Sequence, residues 1–168
     1  MKAEGILMHR TQNIIALRAT MENKTVIQVF NLDTKAKLKH CEVPETVRYW
    51  RWIGENKLGI VGKTNVYHTD ITNSNAPEKI FEQEAKFANC QIMNYGLDSS
   101  DKWCFLIGIY QGTNNQICCH MQLFFIEKKQ QQILQGFAAT FTDMPISDNT
   151  GYKNSLFCFC EKKDGENT

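Results

Sequence analysis

Apolar and alternating runs, each bounded by polar turns, fill most of the chain. The runs predict strands at NIIALRA (13–19), TVIQVFNL (25–32), KAKLKHCEV (35–43) and TVRYWRWIG (46–54). They continue at KLGIVG (57–62), NVYHTDI (65–71), EKIFEQE (78–84), CQIMNYG (90–96) and WCFLIGIY (103–110). CCHMQLFFIE (118–127), QQILQGF (131–137) and SLFCFCE (155–161) complete the series. Between them stand turn-forming sequences such as Met-Glu-Asn, Leu-Asp-Thr, Gly-Glu-Asn and Asn-Ser-Asn-Ala-Pro. No stretch keeps a 3.6-residue period with caps at both ends, so the chain reads as all-β.

The strands repeat in groups. Apolar leading strands begin at Ile14, Lys57, Trp103 and Ser155, and their followers VFNLD, VYHTD and LFFIE echo one another. A four-stranded unit recurring at roughly 40–50 residues is the signature of propeller blades. The spacing predicts a partial, WD40-like β-propeller of three to four blades, one domain over 1–168. Opening mid-blade at Ile6 and closing on KKDGENT, it reads as truncated at both ends. A β-sandwich is the second choice of fold.

One short stretch departs from simple alternation. In FNLDTKAKLK the lysines Lys35, Lys37 and Lys39 fall at every second residue. On a regular strand they share one face as a comb, with Ala36 and Leu38 on the other. Lysines on an edge strand also keep sheets from pairing edge to edge.

Composition narrows the function classes. A 168-residue chain can bury a sizeable core, and 42% apolar with 22% charged residues is ordinary for a globular protein. A net charge of +1 exerts no global pull on nucleic acid or anionic membrane. No apolar run approaches the roughly 20 residues of a membrane-spanning helix, and MKAEGILMHR has no secretory core. The seven cysteines include no CxxC and no zinc-finger spacing, so they read as buried thiols of a reducing compartment. Cys158 and Cys160 share a strand face, assigned to the blade interior.

Motifs for chemistry are absent or broken. GIVGKT (59–64) resembles the end of a phosphate-binding loop, but Lys57 stands where that loop needs glycine, and NVYHTDI continues as a strand. His9, His40, His68 and His120 are scattered, and there is no GxSxG elbow. The sequence therefore predicts no enzyme, no catalytic residue, no cofactor and no metal site. Arg48, Trp50 and Trp52 fall on one strand face, an aromatic stripe packing between blades under an arginine rather than a nucleic-acid platform.

Three segments read together go further: IIALRA…KTVIQVFNLDTKAKLK, VRYWRWIGENKLGIVGKTNVYHTDI, and CQIMNYGLDSSDKWCFLIGIY…HMQLFFIEKKQQQILQGFAATF…SLFCF. Their order and unusual tokens (Gln-Val-Phe-Asn, Trp-x-Trp, Val-Tyr-His, Cys-Gln-Ile-x-Asn-Tyr) resemble the N-terminal propeller of the clathrin heavy chain from Ile6 to Phe159. The sequence departs by an insertion around Met21 to Asn23 and by extent.

The resemblance implies a coat component whose propeller binds linear peptides of adaptor and accessory proteins. In the family a groove between two blades takes an acidic, leucine-rich clathrin-box peptide; its matching positions are Ile15, Gln28, Phe30, Lys35 and Lys37. Val26 or Thr25 fills an adjoining position, the insertion leaving both open, and Arg18 is near enough to add charge. Two further peptide sites map onto Gln91, Met93 and Ile109, and onto Trp103, Leu123, Lys128 and Gln132. Lys128 replaces an expected arginine, keeping charge without the bidentate fork. Lys39 is left as edge charge. Contacts with other heavy and light chains belong to regions absent here; membrane association runs indirectly through adaptors on the cytoplasmic face of coated pits and vesicles. The alternative is a stand-alone scaffold or a fragment without a coat role, and an enzyme built on the Gly-Lys-Thr loop is a formal third reading.

Overall fold

The computed structural model describes residues 2–145 and 153–161. The chain divides into two compact units, Met1–Glu82 and Gln83–Thr168. In the first, β1 (Gly5–Met8), β2 (Ile14–Met21), β3 (Lys24–Asn31) and β4 (Ala36–Val43) pair antiparallel in chain order. β5 (Tyr49–Trp52), β6 (Lys57–Val61), β7 (Asn65–Asp70) and β8 (Glu78–Glu82) form a second such sheet. β2 and β3 are joined by a tight hairpin in which Met21 faces Lys24. Glu22, in that turn, takes a left-handed φ of 54°, as two-residue hairpin loops require.

The core of this unit lies between its two sheets. Ile14, Ala16, Ile27, Val29, Cys41 and Val43 from the first join Trp50, Leu58, Ile60, Tyr67 and Ile71 from the second. Fully burying one such aliphatic side chain contributes about 1.5–3 kcal/mol. Trp50 is thus core, as the aromatic stripe predicted, and half-buried Trp52 packs on the same cluster. The stacked guanidinium belongs to Arg18, whose Cζ lies 5.9 Å from the Trp50 ring centre. Arg18 also donates through Nη1 to the Val47 carbonyl at 3.1 Å.

In the second unit, β9 (Gln91–Leu97), β10 (Trp103–Gln111), β11 (Ile117–Phe125) and β12 (Gln130–Leu134) form the third meander. β13 (Ala138–Pro145) and β14 (Lys153–Cys160) pair beside it as a two-stranded sheet. Phe105, Ile107 and Met121 are buried against Leu123, Leu134, Phe141 and Phe157.

Consecutive four-stranded meanders are the building unit of a propeller. The fold is all-β, of partial propeller class. Ile14, Lys57 and Trp103 each open the second strand of a meander, so the repeat was read in phase, one strand in. Two strands went unread, β1 and β13. Two of the thiol assignments also change. Cys41, Cys90, Cys104 and Cys119 are buried and Cys118 half-buried, but Cys158 and Cys160 are exposed. Phe157 turns inward onto Phe105, so alternation along β14 sends its neighbours the other way.

Candidate functional site

The first sheet has two unlike faces. Cross-strand partners in an antiparallel ladder share a face. Met8 opposes Ile15, Ile15 opposes Phe30, and Phe30 opposes Lys37. Ile6 opposes Leu17, Leu17 opposes Gln28, and Gln28 opposes His40. All of these lie on the face turned away from the Trp50 core. Ile6 and Met8 are 64% and 56% exposed, and Ile15, Leu17, Gln28 and Phe30 are half-buried. Val26 lies on this same face, buried near its far end. Thr25 lies on the opposite one, its hydroxyl donating to the Glu45 carbonyl at 3.1 Å and accepting from the Val47 N–H at 3.0 Å.

The lysine comb does not exist as a comb. A bulge interrupts the β3–β4 ladder, so Phe30 pairs with Lys37 while Val29 pairs with Lys39. The extra residue, Leu38, shifts the alternation by one and sends the two lysines to opposite faces. Lys37 is exposed beside Phe30, and Lys35 sits exposed in the preceding turn at φ 55°. Lys39 is only 3% exposed. Its ammonium donates to the carbonyls of Asn73 at 2.7 Å and Asn75 at 2.6 Å, with Asn73 Oδ1 at 3.4 Å. Edge charge is therefore the wrong description of Lys39: it ties β4 to the loop after β7. Arg18, opposite Ile27, is likewise on the core face and adds no charge beside Phe30.

The Gly-Lys-Thr turn joins β6 to β7 and holds an anion of the chain's own. One Glu45 carboxylate oxygen accepts from the Thr64 N–H at 2.6 Å; the other accepts from Asn65 Nδ2 at 2.9 Å and the Tyr67 hydroxyl at 2.8 Å. A side chain in place of Gly62 would collide with this carboxylate. Burial pushes the Glu45 carboxyl up, but these hydrogen bonds outweigh it and hold the group below its ordinary range. Tyr67 is pushed up to about 12, first by burial and then by the Glu45 carboxylate it serves.

In the second unit Gln91 and Ile109 are direct cross-strand partners. Met93 is the unpaired residue of a bulge beside them and is exposed. Leu123 pairs with Gln132, and Trp103 pairs with Phe125. The Trp103 and Phe125 rings stack at 4.4 Å, and Lys128 Nζ lies 5.8 Å from the Phe125 centre. Phe125 is the residue sequence reasoning missed: it links the tryptophan to the lysine. Only the ladder register reveals that pairing. Lys128 places its ammonium over the Phe125 ring, a contact that does not need a guanidinium fork.

No protein-family profile matches the chain. Among curated proteins it is 39% identical over 162 residues to a "Probable clathrin heavy chain 1" of Caenorhabditis elegans, covering 96% of this chain and 9% of that protein. The chain is a homologue of one stretch of the clathrin heavy chain. A "Clathrin heavy chain 2" of rice is 37% identical over 165 residues, and that of Homo sapiens 33% over 157. The chain spans about a tenth of the length of these clathrin relatives. Among solved structures, the β-propeller domain of a trilobed protease from Pyrococcus furiosus aligns with 96% of the chain and 56% of its own length, at TM-score 0.49 and 13% identity. Among the described residues no group of three or more His, Cys, Asp or Glu could hold a metal. Among those same residues no helix is long and apolar enough to cross a membrane.

Proposed function

We propose that the chain is a peptide-capturing propeller segment of a clathrin-type coat. One observation carries this reading: Ile15, Gln28, Phe30 and Lys37 converge on a single open sheet face, with Lys35 at its rim. Such a face suits an extended acidic peptide rich in leucine. Ile15 and Phe30, flanked by Met8 and Leu17, offer apolar contact to its side chains. Gln28 hydrogen-bonds its backbone, and Lys35 and Lys37 pair with its acids.

The partners are adaptor and accessory proteins carrying such motifs. Binding per site is weak and gains strength through multivalency in an assembled coat. The Gln91/Ile109 pair with Met93, and the Trp103–Phe125–Lys128 cluster with Leu123 and Gln132, serve as two further peptide sites. The segment is not an enzyme, and it works on the cytoplasmic side of coated pits and vesicles, reaching membrane only through adaptors. Contacts with other heavy and light chains lie in regions beyond this stretch. Nucleic acid is not a partner, because Trp50 and Trp52 are taken up by the core.

Titration of an acidic leucine-rich peptide into the wild-type chain and the Lys35→Glu/Lys37→Glu variant tests this. Saturable binding in the first and its loss in the second are expected. A folded wild type that binds nothing, or a variant that binds as well, returns the chain to the stand-alone scaffold reading.

A further inference from the structure

β13 and β14 form the odd sheet of the chain. The other sheets hold four strands each; this one, among the described residues, holds two. β14 is eight residues long, and its only ladder among those residues is with β13. The backbone N–H and C=O groups along its other edge therefore have no strand to meet.

Sheet edges in water are ordinarily blunted by charge, by bulges or by shortness, and the chain uses these devices elsewhere. β4 carries the exposed Lys37 and a bulge against β3. β8 carries Glu78, Lys79 and Glu82 and is bulged against β7. β9 is bulged at Met93, β1 and β5 are four residues each, and β13 carries Asp143. β14 has none of them. From Asn154 to Cys160 it holds no charge and no proline, and its ladder runs unbroken. Asn154, Ser155, Leu156, Cys158, Phe159 and Cys160 are all exposed. A long, uncharged edge rich in aromatic and apolar residues is built to pair.

We infer that β14 is a dimerisation edge, and that its partner is β14 of a second copy of this chain, antiparallel about a two-fold axis at Phe157. Two features select a second copy over a foreign strand. A second copy brings two strands, so β13–β14–β14–β13 completes the four-stranded sheet that the rest of the chain repeats. The strand is also complementary to itself. In sequence it is bounded by opposite charges, Lys153 and Glu161, and the two-fold sets each end against the other end of the second copy.

In that register Phe157 meets its own counterpart, Leu156 meets Cys158, Ser155 meets Phe159 and Asn154 meets Cys160. No charge is set against an apolar residue. Parity is kept as well: Phe157, which packs on Phe105, stays on the inner side in both copies, and Leu156 and Cys158 on the outer. No thiol faces a thiol, so the pair forms in reducing buffer without a disulfide. This edge lies in the second unit and owes nothing to the peptide face of the first.

Sedimentation velocity of the full chain under reductant, from low to high micromolar concentration, tests the pairing. The expected result is a reversible shift from the mass of one chain to twice that mass. Leu156→Lys/Cys158→Lys sets like charges directly opposite one another across the two-fold and should abolish the shift. Leu156→Lys/Cys158→Glu sets opposite charges there and should restore it, which also shows that substitution at these exposed positions leaves the fold intact. A wild type that stays at the mass of one chain overturns the dimer and leaves the edge to a strand of another protein. A dimer that survives the like-charge variant, or one lost equally in both variants, overturns the β14 register.

Discussion

Lys37 and Lys39 stand two residues apart on one strand and live in different worlds. Lys37 is on the outer face of the first sheet, in water, beside the half-buried ring of Phe30. Lys39 is on the inner face, sealed from water, its ammonium held by loop carbonyls. The difference is made by one bulged residue, Leu38. It teaches that charge on this strand meets two separate environments: outside, it stands in solvent; inside, it orders the fold. The rest of the sheet divides the same way. Ile27 and Arg18 belong to the core, while Ile15 and Gln28 belong to the outer surface.

Substitutions along this divide rank by expected effect. Ile27→Ala opens a cavity in the inner face and should cost about 2–5 kcal/mol in denaturant unfolding. Lys39→Met keeps the aliphatic stem but leaves the Asn73 and Asn75 carbonyls without their donor. The cost should be about 1.5–3 kcal/mol, with faster amide exchange in the loop after β7. If Lys39→Met unfolds like the wild type, the inner lysine is no anchor.

Glu45→Gln should act on pH dependence. Because the folded carboxyl titrates below its ordinary value, its stabilising contribution is present above the unfolded value near 4.5. It is lost as pH falls through the lowered one. The variant should show a shallower acid limb, read by urea melts between pH 3 and 7. An unchanged acid limb would show that the Thr64 turn does not depend on this anion. Tyr67, raised to about 12, works at the other extreme: its contribution is present below about 10 and is lost as pH rises through about 12. Smallest in stability is Lys37→Glu on the outer face, within about 0.5 kcal/mol of wild type. The same change should nevertheless weaken binding of an acidic peptide.

Much of this architecture was legible because it rests on period-two patterning. Ile14, Lys57 and Trp103 were read as strand leaders and do open strands. β13 was missed because AATFTDMP mixes small, polar and aromatic residues without an apolar stripe. GILM (5–8) is too short to signal itself. The lysine comb failed for a different reason. A bulge changes no local composition; it exists only in the register between two strands, so Lys37 and Lys39 look alike until β3 and β4 are paired. Phe125 was overlooked as one aromatic in an apolar run, since its stacking on Trp103 depends on the β10–β11 register. Val26 and Thr25 stayed open because of the insertion around Met21 to Asn23, and the ladder assigns Val26 to the outer face.

The central claim is that the outer face binds and the inner face does not. Backbone amide shifts recorded while an acidic leucine-rich peptide is titrated into the chain test it most directly. The account predicts saturable shifts at Ile15, Gln28, Phe30 and Lys37, with Arg18, Ile27 and Lys39 unmoved. Shifts confined to the second unit, or no saturable shift at Gln28 and Phe30, would contradict it.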